Sequence, residues 1–262
     1  MGRLLDVLVD SHCHINFPEL AGDLEGVVSR MRDADVTHAL CVSVSLETCP
    51  EVLAIAERFP NIYASVGVHP NERGGAEPTV DGLVKLAAHP RVVAIGETGL
   101  DYYREGGDLE WQRDRFRTHI RAAQRCSKPL IIHCRQAPED TLAILKAEGA
   151  EEIGGVMHCF TETLPVAQQA MAMNFHISFS GIVTFSNARA LREVARDVPL
   201  ERLLIETGSP YLAPTPYRGK TNEPAYVRRV AEQISEIKRA ELAEIAEVTS
   251  VNFFSLLKLK EQ

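Results

Sequence analysis

Four short apolar runs in this chain each end on a residue of the kind that binds metal ions, and that recurrence constrains the fold more than any other feature. Val7-Leu8-Val9-Asp10-Ser11 leads into His12-Cys13-His14. Side chains on an extended strand alternate faces, so His12 and His14 point the same way and make half of a divalent-metal site. Val92–Gly96 then ends at Glu97, Leu130–Ile132 at His133, and Gly155–Met157 at His158. Several strands delivering ligands to one rim is how a parallel barrel builds a site, because the loops above the strand ends are free to carry chemistry. An isolated histidine is ordinarily a core or surface residue, but five ligand types at strand ends are not explained that way.

Strands are expected near 7–14, 37–44, 61–67, 92–97, 129–133, 154–158, 175–181 and 202–206, alternating with amphipathic stretches. The helices are Gly22–Asp35, Glu47–Phe59, Thr79–His89, Leu109–Ser127, Glu139–Glu148, Leu164–Met173, Ala188–Asp197 and a long segment from Glu223 onward. In Leu109–Ser127, Phe116, Ile120 and Ala123 recur at helical spacing, with Arg113, Arg117 and Arg121 on other faces. Eight βα units predict a (β/α)8 TIM barrel with the metal site at the C-terminal rim of its strands, a single domain over residues 1–262. A doubly wound open sheet is the alternative, but it would not naturally gather strands one, four, five and six around one centre.

At 262 residues, 45% apolar and 24% charged, the chain has an ample core for a soluble globular enzyme. Its start lacks a long apolar stretch, and no run approaches a membrane span, so neither a signal peptide nor a membrane is expected. Six scattered cysteines suit a reducing, cytoplasmic location. Cys13, Cys134 and Cys159 adjoin ligand histidines, and alternation turns them to the opposite face as small buried residues. A net charge of −8 argues against gripping long nucleic acid on a basic surface. Cations held in a pocket would nevertheless draw phosphate to an acidic protein. Gly74-Gly75 and Gly106-Gly107 read as loop turns, and Ala213–Lys220 as a rigid Pro-rich loop after the last strand. The C-terminal apolar face (Val230, Ile234, Ile237, Leu242, Ile245, Phe253, Leu257) is expected to pack on the barrel.

Together these segments resemble the TatD family of metal-dependent deoxyribonucleases, an amidohydrolase-type barrel. The resemblance runs through nearly the whole chain. Its motifs stand as Asp10-Ser-His-Cys-His14, Gly67-Val-His-Pro70, Ile95-Gly-Glu-Thr-Gly-Leu-Asp101, Pro129-Leu-Ile-Ile-His-Cys-Arg135, Gly155-Val-Met-His-Cys-Phe160 and Leu204–Pro214, followed by Tyr217–Pro224. The resemblance implies that His12 and His14 hold one cation, His133 and His158 a second, and that Glu97 bridges them. Mixed imidazole and carboxylate ligands suit Zn or Mn, and the family is also described with Mg, so the two divalent ions remain unassigned. The chain departs from the family after the last strand, where Glu-Thr-Asp becomes Glu206-Thr207-Gly208. That aspartate would ligate the first metal and act as general base; with glycine, both the metal position and the catalytic position at Gly208 are vacant. Such a change is that of an inactive engineered variant or of a natural enzyme with weakened chemistry. Glu206, two residues earlier, is expected a layer deeper in the barrel.

The remaining candidates each keep two readings. His69 and Arg135 are substrate-phosphate contacts or loop hydrogen bonds. Arg218 and Lys220 are phosphate contacts or solvated loop charges. Asp10 orients a ligand histidine from behind or caps its strand, and Trp111 is a packing residue in preference to a base-stacking one. The function implied is a metal-dependent hydrolase of phosphodiester bonds, a 3′–5′ deoxyribonuclease acting through metal-activated water, with Glu97 and residue 208 catalytic. The expected partner is DNA, as single strands or frayed ends, with no obligate protein partner. Two alternatives stand beside it: an ester or amide amidohydrolase, and a non-catalytic metal-containing binding protein favoured by Gly208.

Overall fold

The computed structural model describes residues 7–103 and 108–259, so Met1–Asp6 and Gly106-Gly107 lie outside the described residues. In chain order the elements are β1 (Leu8–Cys13), α1 (Pro18–Ala21), α2 (Leu24–Asp33), β2 (Val36–Cys41), α3 (Cys49–Arg58), β3 (Ile62–Val66), α4 (Val80–Ala87) and β4 (Val92–Asp101). They continue as α5 (Glu110–Cys126), β5 (Leu130–Arg135), α6 (Pro138–Ala147), β6 (Gly155–Met157), α7 (Leu164–Ala172), β7 (Phe175–Phe179), α8 (Arg189–Asp197), β8 (Leu203–Ile205), α9 (Val227–Lys238) and α10 (Leu242–Leu256). The eight strands form one sheet in the order β1 to β8. That order with alternating helices is the expected (β/α)8 barrel. No helix among the described residues is long and apolar enough to cross a membrane.

The chain clusters into two compact units. The first holds β1, β2, Cys159–Leu164 and the chain from Ile177 onward. Here β1 pairs in parallel with β2, and its last residue, Cys13, bridges Ser209, beyond β8. Gly208 N–H donates to His12 C=O at 2.9 Å and His14 N–H to Ser209 C=O at 2.8 Å. The sheet therefore joins its first strand to the segment after its last. Leu8, Ile15, Val27, Met31, Leu40, Phe179 and Ile205 are buried in this unit's core. The C-terminal region packs as expected, with Val230, Ile234, Ile245, Phe253 and Leu257 buried. It forms two helices instead of one long segment, because Arg239 ends α9 in the left-handed region at φ 55.

The second unit holds the chain from Val42 to His158 together with Pro165–His176. β3, β4, β5 and β6 pair in parallel, and α5 buries Phe116, Ile120 and Ala123, the spacing that the sequence predicts. β4 and β5 run past the expected ends to Asp101 and Arg135. The extension depends on Gly96 (φ 144) and Gly99 (φ 135), where a Cβ would stand 2.7 Å from Ile131 Cβ and 2.0 Å from His133 O. Only glycine admits that approach of β4 to β5. Two polar residues of α5 fix the loop after β3. Arg115 donates to His69 C=O at 2.9 Å and Glu72 C=O at 2.8 Å, and its guanidinium pairs with Glu77. The fully buried His119 accepts from Val68 N–H at 2.9 Å through Nε2, while its Nδ1 faces Arg115 C=O at 2.8 Å. Trp111 is a packing residue, with Arg73 and Arg115 over its ring.

His119 carries a pH consequence. Burial pushes its pKa down from 6.5 to about 4, and protonation would set N–H against the Val68 N–H. The unfolded chain takes up this proton between pH 6.5 and 4 while the folded chain does not, so stability falls on acidification through that window. The shift is worth about 3 kcal/mol at most. Urea unfolding at pH 7 and pH 4.5 is expected to show a smaller acid loss for His119→Gln than for the parent chain. Equal losses would contradict this reading.

Candidate metal centre

In the first unit, β1 is buried along its whole length and delivers His12 and His14 to one place. Their Nε2 atoms face each other at 3.1 Å and their rings meet edge-on with centroids 4.9 Å apart. His14 also stacks on Phe17 at 4.8 Å. Asp10 does not reach a ligand imidazole. Its carboxyl takes the backbone N–H of Thr207 at 2.9 Å and of His12 at 3.2 Å, with the Thr207 hydroxyl at 2.5 Å. Burial pushes the Asp10 carboxyl up to about 8, against these hydrogen bonds, which pull it down. These contacts tie the end of β1 to the segment after β8.

Glu206 is the first residue past β8. It is fully buried, its Oε1 accepts from Cys159 N–H at 3.0 Å, and it offers a ligand atom within 4.8 Å of His12. β8 ends at Ile205, and the backbone turns to φ 62 at Gly208. A Cβ at residue 208 would meet nothing within 4 Å. Left-handed backbone is also where aspartate and asparagine are tolerated best after glycine. An aspartate side chain therefore has room there.

In the second unit one carboxylate oxygen gathers three imidazoles. Glu97 Oε1 lies 2.9 Å from His133 Nδ1, 2.9 Å from His158 Nε2 and 3.3 Å from His69 Nε2. Glu97 thus sits within β4 and not at its tip, its N–H donating to Ser43 C=O at 2.9 Å. His133 Nε2 faces Asp101 Oδ2 at 3.1 Å, which fixes the tautomer and turns Nδ1 toward Glu97. Burial opposes charge on His133, but its bonds to Asp101 and Glu97 outweigh that and raise its pKa. Burial likewise opposes charge on Asp101, but His133 and Asn71 outweigh it and hold the carboxyl down at about 2. A carboxylate facing several imidazole nitrogens is a donor set that fits a divalent first-row ion.

His69 joins this cluster, more closely than either of its readings implied. Its Nδ1 accepts from Asn71 N–H at 3.0 Å, so Nε2 carries the proton of the neutral ring and donates to Glu97. Burial pushes its pKa down. Asp101 went unassigned in the sequence; its signal lies in the Gly-Leu-Asp run, which the two glycines let continue as strand. Arg135, exposed, lies over the Tyr103 ring at 3.9 Å. Arg218 covers Phe185 at 3.5 Å, and Lys220 is exposed on a turn closed by its N–H to Tyr217 C=O. The adjacent cysteines are only partly as expected. Cys13 is fully buried, but Cys134 and Cys159 are half-buried, and Cys159 (φ 44) sets its Sγ 3.2 Å from Ser180 Oγ.

A family model described as TatD related DNase matches residues 9–258. The chain belongs to the TatD family of metal-dependent hydrolases. It is 43% identical over 254 residues to the uncharacterized metal-dependent hydrolase YabD of Bacillus subtilis (strain 168), covering 97% of this chain and 100% of YabD. It is 32% identical over 255 residues to a 3′–5′ ssDNA/RNA exonuclease TatD of Escherichia fergusonii, covering 95% of this chain and 98% of that protein. Among solved structures, YJJV, a TatD homolog from Escherichia coli K12, superposes with a TM-score of 0.88 at 29% identity, covering 97% and 98% of the two chains.

In this TatD-family chain the Asp101–His133 contact makes a testable claim on metal binding. Asp101→Asn removes the charge that orients His133, and affinity for Mn or Zn is expected to fall roughly 10- to 100-fold with the fold retained. Calorimetric titration with a circular-dichroism control checks it, and unchanged affinity would contradict it.

Proposed function

We propose that this chain is a metal-dependent phosphodiesterase acting on DNA ends, a 3′–5′ exonuclease for single-stranded or frayed DNA in the cytoplasm, with activity impaired at Gly208. The carrying observation is the convergence of three imidazole nitrogens on Glu97 Oε1. The exonuclease name of the E. fergusonii relative supports the choice of nucleic acid over other esters. In this reading His12 and His14 hold one divalent cation, His133 and His158 a second, and Glu97 serves both. Bound there, the cations would supply Lewis-acid stabilisation of the attacking and leaving oxygens. Asp101 holds His133 in its ligand tautomer, and Asp10 fixes the backbone at Thr207, next to the position where the family carries its aspartate.

Glycine at 208 brings no carboxylate to accept a proton from water. Loss of a general base costs roughly 10²- to 10⁴-fold in rate. The same vacancy favours a second reading, a metal-holding protein that binds phosphate without cleaving it.

Digestion of 3′-labelled single-stranded DNA with Mg or Mn tests the proposal. Gly208→Asp is expected to be faster than the parent chain by roughly 10²- to 10⁴-fold. Full activity with glycine would mean that water is activated elsewhere. A restored variant that cleaves carboxylic esters or amides but not DNA would favour the amidohydrolase alternative. Metal titration separates the ligand roles: Glu97→Ala is expected to weaken both cations and His158→Ala chiefly one. Indistinguishable stoichiometry would sink the shared role of Glu97.

A further inference from the structure

We propose that Tyr211, backed by Phe17, is a stacking platform for a nucleobase next to the phosphodiester that the site would cleave. This rests on the phosphodiesterase reading above. Tyr211 is 55% exposed and its neighbour Leu212 38%, an apolar pair left open to solvent in the first unit. An aromatic row leads from them to a ligand histidine. The Tyr211 and Phe17 rings meet at 6.2 Å and 64°, and Phe17 stacks on His14 at 4.8 Å and 15°.

The exposed ring is held by a braced backbone. Fully buried Asn222 donates from Nδ2 to Tyr211 C=O at 2.6 Å and to Thr207 C=O at 3.0 Å, while its own N–H reaches Pro210 C=O at 3.0 Å. Tyr211 N–H also bonds Gly208 C=O at 3.2 Å. The bracing ties the ring to the residue beside His12, so a flat ligand stacked on Tyr211 loses little to ordering of the protein. The occupant is further specified by charge. Between Pro210 and Asn222 the chain carries Arg218 and Lys220 and no acidic residue, in a protein of net charge −8. An aromatic group attached to a phosphate chain satisfies both features. Every base offers a π face, so the platform would tolerate any sequence and require the base to be unpaired.

The test compares oligothymidylate with an abasic oligomer carrying the same number of phosphates, by fluorescence anisotropy with Mn present. Tyr211→Ala is expected to weaken oligothymidylate binding roughly 5- to 100-fold and to leave the abasic oligomer unchanged. Tyr211→Phe should retain the parent affinity, and Mn content should be equal in all three proteins. Equal loss for both oligomers, or no loss with Tyr211→Ala, overturns the platform while leaving the phosphodiesterase reading intact. Failure of the parent chain to bind either oligomer would overturn both.

Discussion

The joining of β1 to the segment after β8 is the constraint on which the first unit depends. Two backbone hydrogen bonds, Gly208 to His12 and His14 to Ser209, make that seam, and the buried Asp10 carboxyl locks it by taking the Thr207 N–H and hydroxyl. Burying a carboxyl is costly unless it is hydrogen-bonded, and here the Thr207 and His12 donors offset part of the loss of water while burial still raises the pKa. The seam fixes where a side chain at residue 208 would begin, beside His12. It also carries the braced turn from Gly208 to Tyr211. The joining of this unit's strands, the placement of residue 208 and the backbone that carries the exposed aromatic ring thus depend on one set of contacts.

In the second unit the corresponding constraint is the close approach of β4 to β5. Gly96 and Gly99 flank the Glu97-Thr98 pair, and a side chain at either position would strike the backbone or Cβ of β5. That approach sets Glu97 against His133 and continues β4 to Asp101, which then holds His133 from its other nitrogen. One strand so supplies both the carboxylate that faces the imidazoles and the one that orients them.

Much of this was legible in the sequence. The eight strands, the alternation with helices and the five ligand-type residues follow from apolar runs that end in histidine or glutamate. What escaped had physical causes. β4 was expected to stop at Glu97 because its apolar run ends there, whereas Gly96 and Gly99 let it pair with β5 as far as Asp101. Asp101 lay beyond that expected end and was given no role. His69 lies on a loop whose position is set by Arg115 and His119, contacts between distant segments that no local pattern records. Asn222 had no signal until the turn that it braces was seen.

The central claim is that two clusters of this chain hold divalent cations, and anomalous scattering from crystals soaked in Mn tests it most directly. The account predicts one peak at His12 and His14 and a second, stronger peak at His133, His158 and Glu97. The first would be weaker because residue 208 supplies no carboxylate. Mn absent from both clusters, or bound elsewhere while both stay empty, would contradict it.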